Sequence, residues 1–95
     1  MTYFVYVLFS ETADEYYKGF SSDIHRRLFE HNHHLSRHTA GKGPWKLVFI
    51  RKQDTKASAM MEERRVKRLN RRSLELMIKS DLNELSDFYA NHQAG

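Results

Sequence analysis

The chain has 95 residues, room for one small domain with a single core. It has no cysteine, which excludes a disulfide framework, a thiolate nucleophile and thiolate zinc ligands, and no apolar run near the ~18 residues of a membrane span. Sixteen Lys and Arg against twelve Asp and Glu give a formal charge of +4, a balance that suits a polyanionic partner such as nucleic acid.

Tyr3 to Ser10 is rich in β-branched and aromatic residues and apolar on both alternating faces, the pattern of a strand covered on both sides. A polar loop, 11–15, leads to a second strand, Tyr16 to Phe20, whose Gly19 allows a bend or a close approach. The two strands are expected to pair antiparallel. Ser21 or Ser22 is the expected cap of a helix over 23–32, with Asp23 in its first turn. Residues 33–44 form a polar loop, followed by a third strand, Trp45 to Ile50. Thr55 or Asp54 caps a long helix over 56–69, with Asn70 at its C-terminal end, and Arg71 to Ile78 is a further helix. The sum is a small α/β (α+β) domain of order β-β-α-β-α-α. A three-stranded antiparallel sheet, strand 1 in its middle, is flanked by helices. Residues 1–80 make up this domain. Residues 81–95 form an acidic tail whose Leu82, Leu85, Phe88 and Tyr89 fit either a docked amphipathic helix or a frayed end.

Several side chains stand out for their chemistry. Tyr6 shares a strand face with Phe4 and Leu8, and Tyr17 lies on the paired strand, while Lys18 alternates to the other face. Strands favour tyrosine, so packing alone accounts for both rings. Asp23, Arg27 and His31 share one helix face. Arg27 suits either a phosphate clamp or a surface ion pair. Glu63 lies on the same side as Ala59, Val66 and Asn70, where a carboxylate needs a cation or an arginine beside it, whereas its neighbour Glu62 is expected in solvent. Arg64, Arg65, Lys67, Arg68, Arg71 and Arg72 form a basic run without an acid, and the loop adds Arg37, His38 and Lys42. Both fit contacts to a nucleic-acid backbone, and the run equally fits a solvated helix face. His31, His34 and His38 would line one face for zinc only if their segment were helical, against which Gly41, Gly43 and Pro44 argue.

The ordered set Phe4-Val5-Tyr6, Tyr17-Lys18-Gly19, Arg27 and Glu63 resembles the GIY-YIG nuclease superfamily, and over residues 3–78 most of all its short, stand-alone bacterial branch. Phe4 and Val5 take the places of the family's glycine and isoleucine. The start, Met1-Thr2-Tyr3-Phe4-Val5, lacks the basic segment of a signal peptide, and a cytoplasmic protein is expected. The resemblance implies a metal-dependent endonuclease that hydrolyses phosphodiester bonds in DNA. Tyr6 and Tyr17 would prepare the attacking water, Arg27 would hold the scissile phosphate and His31 would assist. Glu63, in an Ala59-x-x-x-Glu63 pattern, would bind Mg²⁺ or Mn²⁺. Lys18, Arg37, Lys42, Arg64, Arg65, Arg68, Arg71 and Arg72 would contact nucleic acid. Larger relatives, among them the repair excinuclease that incises damaged DNA, join this module to recognition domains. That points to DNA repair as a setting, and to loops, a protein partner or a homo-oligomer as the source of specificity. Asn70 and Asn83 are the candidates for the family's late asparagine, although neither stands in a recognisable motif. The alternative is a catalytically weak or inactive nucleic-acid-binding module of the same fold.

Overall fold

A computed structural model describes residues 1–92. These residues form three strands, β1 (Tyr3–Ser10), β2 (Glu15–Ser21) and β3 (Lys46–Gln53), and four helices, α1 (Ile24–Asn32), α2 (Lys56–Lys67), α3 (Arg71–Ile78) and α4 (Leu85–His92), in the order β-β-α-β-α-α-α. The sheet order is β2-β1-β3, antiparallel throughout. The doubly apolar β1 therefore sits in the centre, where both its faces are covered.

Each face of the sheet carries its own core. Val5, Val7 and Phe49 pack against Ala59 and Val66 of α2 and Leu74 and Met77 of α3. Tyr6, Leu8 and Ile50 pack on the other side with Ile24 of α1, Trp45, Leu47 and Phe88 of α4. Burial of alternate β1 side chains in opposite layers is the main reason this short strand organises the whole chain.

The helix starts differ in detail from the expectation. Asp23 itself caps α1, its side chain accepting from the Arg26 N–H, while Ser21 supports the turn through Oγ. Thr55 caps α2 as expected, accepting from the Ser58 N–H. Asn70 does not close α2. Its side chain accepts from the Ser73 N–H and opens α3, because an extended residue with a short amide satisfies the orphan donors of the following turn. Helix α2 stops at Lys67, and β3 runs three residues past Ile50.

The acidic tail docks as α4, with Phe88 edge-on to Phe4 at 5.7 Å and stacked on His25 at 5.5 Å. Phe4, the residue in place of the family glycine, thus turns toward α4. Residues 93–95 of that tail lie outside the described residues. Asn83 clamps the entry to α4. Its amide donates to the carbonyls of Val48 and Ile78 at 2.8 and 2.9 Å, and its oxygen accepts from the N–H groups of Ile50 and Leu85. Among the described residues no helix is long and apolar enough to cross a membrane.

Because Asn83 satisfies four backbone groups at once, Asn83→Ala should lower unfolding free energy by about 2–3 kcal/mol. Urea denaturation of both chains measures this. A change of a few tenths would mean that the clamp is dispensable.

Candidate active site

Tyr6 stands directly opposite Gly19 in the β1–β2 register. A Cβ on Gly19 would lie 2.7 Å from the Tyr6 hydroxyl oxygen, 2.8 Å from its Cζ and 3.1 Å from Tyr17 Cε2. Only glycine leaves room for the phenol to lie across the β2 backbone. Tyr17 flanks it on the same face, the two ring centroids 6.3 Å apart. The Tyr6 side chain is buried, and Tyr17 is half-buried.

Helix α1 brings the next two groups. The Asp23 cap fixes its phase, and Arg27 and His31 follow one turn apart on the side facing the sheet. His31 is fully buried. Its Nε2 lies 2.9 Å from the Tyr6 hydroxyl, its Nδ1 2.7 Å from Thr39 Oγ1, and its ring centroid 4.7 Å from that of Tyr17. Arg27 is half-buried and donates from one terminal nitrogen to Glu30 at 2.6 Å. Its guanidinium lies beside Tyr6 and favours the phenolate.

Electrostatics follow from burial. Desolvation pushes the Tyr6 phenol up to about 12, opposed by Arg27 and reinforced by Tyr17 and Glu63. Desolvation, with Arg27 adding to it, drives His31 down to about 4, so the imidazole is neutral at pH 7.

Glu63 comes from α2, in the layer on the opposite side of the sheet, yet its charge is felt at Tyr6. Its side chain is 16% exposed and pairs with Lys67 at 3.4 Å. That burial suits a carboxylate that meets a cation. Glu62 is not the solvated neighbour expected. It is 18% exposed and held by Arg65, with Arg51 at 3.9 Å, since two arginines compensate its removal from water.

The basic residues divide. Arg71 donates to Asp14 at 2.7 Å and to Glu75 at 3.3 Å and lies over the Tyr16 ring, tying α3 to the β1–β2 turn. Arg65 is engaged by Glu62, and Lys42 by Glu15 at 3.0 Å. Arg37, Arg64, Arg68 and Arg72 are exposed, and Lys18 is half-buried opposite Val7. The zinc arrangement does not form. Helix α1 ends at Asn32, His31 has both nitrogens engaged, and His34 accepts from the Gly41 N–H. Among the described residues no three His, Asp or Glu are placed to share a metal. Asn70 and Asn83 are both committed to backbone groups. A cavity of about 500 Å³ lies away from the tyrosines, between Phe4, Ile50, Lys52 and α4 residues Asp87 and Phe88.

Two participants escape a reading of the sequence. Thr39 lies eight residues past His31 in an irregular loop, where no period announces it. The Lys67–Glu63 pair has i,i+4 spacing, a signal that is present but submerged in the basic run.

This arrangement of two tyrosines on paired strands, an arginine on the first helix and a glutamate on the second defines a class. The chain belongs to the GIY-YIG family, matching the GIY-YIG catalytic domain over residues 2–76. Within it, the chain is similar to UPF0213 proteins. One from Natronomonas pharaonis is 33% identical over 81 residues, covering 83% of this chain and 93% of that protein. Another, from Halalkalibacterium halodurans, is 35% identical over 80 residues, covering 82% and 83%. The solution NMR structure of the UPF0213 protein from Bacillus halodurans has the same fold, with a TM-score of 0.57, 29% identity, and coverage of 93% of this chain and 94% of that one.

A histidine titrating near 6.5 unfolded and about 4 folded lets the unfolded chain bind the extra proton. Its contribution to stability is full above pH 6.5, is lost as pH falls toward 4 and levels off below. The loss amounts to ~3 kcal/mol. Urea midpoints between pH 7 and 4.5 should fall accordingly, and His31→Gln should flatten the slope. Parallel slopes for the two chains would contradict the assignment.

Proposed function

We propose that the chain is a metal-dependent endonuclease that hydrolyses phosphodiester bonds in DNA. The observation that carries this reading is the convergence of Tyr17, Arg27 and His31 on Tyr6, with the Glu63 carboxylate near enough to act on its phenol.

Each group has a role its surroundings permit. Arg27 spends one nitrogen on Glu30 and keeps further N–H groups for a phosphate, whose charge it would stabilise as it grows in the transition state. Burial disfavours both the Tyr6 phenolate and the His31 imidazolium, so the proton stays on the phenol. Tyr6 therefore rests as a neutral phenol that orients water, and Tyr17 lines the same cleft. Glu63 offers one largely buried carboxylate, which fits an ion that keeps most of its waters, such as Mg²⁺ or Mn²⁺, rather than one caged by protein. When bound, such an ion supplies positive charge at the phosphate and lowers the pKa of water. Exposed Arg64 on α2, Arg68 at its C-cap and Arg72 on α3 supply salt-sensitive backbone contacts. Arg37, on the loop after α1, adds another. Specificity then rests on loops, a second copy or a partner protein.

The neutral Tyr6 and the Lys67 counterion already on Glu63 favour a second reading, a binding module with weak chemistry. Incubation with single-stranded, duplex and branched DNA separates the two. The nuclease reading expects cleavage with Mg²⁺ or Mn²⁺ and none with EDTA, and a loss of roughly 100-fold or more in Glu63→Gln with DNA affinity changed only a few-fold. Salt-sensitive binding without cleavage under either ion would leave the binding module, and cleavage confined to RNA would overturn the choice of DNA.

A further inference from the structure

Each ring nitrogen of His31 faces one hydroxyl, and those hydroxyls decide which nitrogen carries the proton. Nε2 lies 2.9 Å from the Tyr6 oxygen and Nδ1 2.7 Å from Thr39 Oγ1. A neutral imidazole has one N–H, so it donates on one side and accepts on the other.

Thr39 has a second neighbour. Its Oγ1 is 3.4 Å from the carbonyl oxygen of Ser36, which can only accept. When the Thr39 hydroxyl donates to Ser36, its lone pairs face Nδ1, and Nδ1 must donate. Nε2 is then free to accept from the Tyr6 O–H. In this arrangement all three protons have acceptors, and the Tyr6 oxygen keeps lone pairs for the Arg27 guanidinium beside it. The opposite arrangement points Nε2–H at Tyr6, so that His31 and Arg27 both donate to one phenol oxygen. The buried Tyr6 proton then loses His31 as its acceptor, which is costly for a desolvated hydroxyl.

Thr39 is itself held firmly. It is fully buried, its N–H donates to Ser36 at 3.2 Å, and its carbonyl accepts from Trp45 Nε1 at 3.1 Å. Trp45 is gripped in turn by Asn32, the residue after His31, which accepts from its N–H at 2.6 Å and donates to its carbonyl at 3.1 Å. The loop between α1 and β3 thus returns to the helix at the level of the histidine.

We propose that Thr39 is a positioning residue that holds His31 as the Nδ1–H tautomer and so presents Nε2 as the acceptor for the Tyr6 hydroxyl. With its proton committed to His31, Tyr6 meets an incoming water through a lone pair. This consequence rests on the nuclease reading, while the tautomer does not. Free histidine prefers the Nε2–H form, so the assignment is not the default.

Long-range ¹H–¹⁵N correlation spectra of ¹⁵N-histidine-labelled protein at pH 7 test it. In the wild-type chain His31 should show a protonated-type Nδ1 and an unprotonated-type Nε2. Thr39→Val, similar in shape but without the hydroxyl, should shift His31 toward Nε2–H, and Thr39→Ser should keep the original pattern. In a cleavage assay Thr39→Val should lose roughly tenfold in rate and Thr39→Ser should recover most of it. An Nε2–H tautomer in the wild type would overturn the proposal, and that spectrum needs no variant to fold. So would an Nδ1–H tautomer that persists in Thr39→Val. The expected spectra from a chain that cleaves nothing would leave the positioning of His31 standing and remove the nuclease reading instead.

Discussion

A phenol lies across the backbone of the neighbouring strand because Gly19 has no side chain to stop it, and the candidate site depends on that contact. A single added carbon would stand 2.7 Å from the Tyr6 oxygen, well inside van der Waals range. The open position lets Tyr6 lie flat against β2, an edge strand, where it meets Tyr17 on the same strand and His31 and Arg27 from α1. Glu63 belongs to the layer beyond the sheet, and its field still reaches the same hydroxyl. The glycine of the Tyr-x-Gly motif is therefore a steric requirement of the tyrosine in the first motif.

The same contact sets the electrostatics. Bringing Tyr6 and His31 out of water raises one and lowers the other, so both rest neutral. The charged groups nearby are each already partnered, Arg27 with Glu30 and Glu63 with Lys67. On the nuclease proposal, phosphate and cation would compete with these partners. The basic surface is divided in a similar way, since Arg65 and Arg71 serve internal ion pairs while Arg64, Arg68 and Arg72 remain exposed.

Much of this is legible in the chain. The doubly apolar pattern of Tyr3–Ser10 marks the central strand, because period-two alternation reports directly on two covered faces. Tyr6, Tyr17, Arg27 and Glu63 stand out because their order and spacing match a family. Composition alone would leave each as packing or an ion pair. The misreadings have local causes. Asn70 is as good at starting a helix as at ending one, and only the Ser73 N–H decides between them. Glu62 looks solvated in the sequence because Arg51, one of its partners, comes from β3, eleven residues away and beside it only after folding. Tail docking rests on Asn83, whose four backbone bonds carry no periodic signature. Thr39 is hidden for the same reason. Loop residues that satisfy a buried ring are placed by tertiary structure and not by pattern.

The central proposal is spatial: a cation held at Glu63 on α2, although in the layer beyond the sheet, lies close enough to act on Tyr6 and Tyr17. Paramagnetic broadening of ¹³C-labelled tyrosine rings by Mn²⁺ measures it directly. Substoichiometric Mn²⁺ should selectively broaden the Tyr6 and Tyr17 signals, leave Tyr89 on α4 sharp, and lose this selectivity in Glu63→Gln. Uniform broadening of all five tyrosines, or selective broadening that survives the loss of the Glu63 charge, would contradict it.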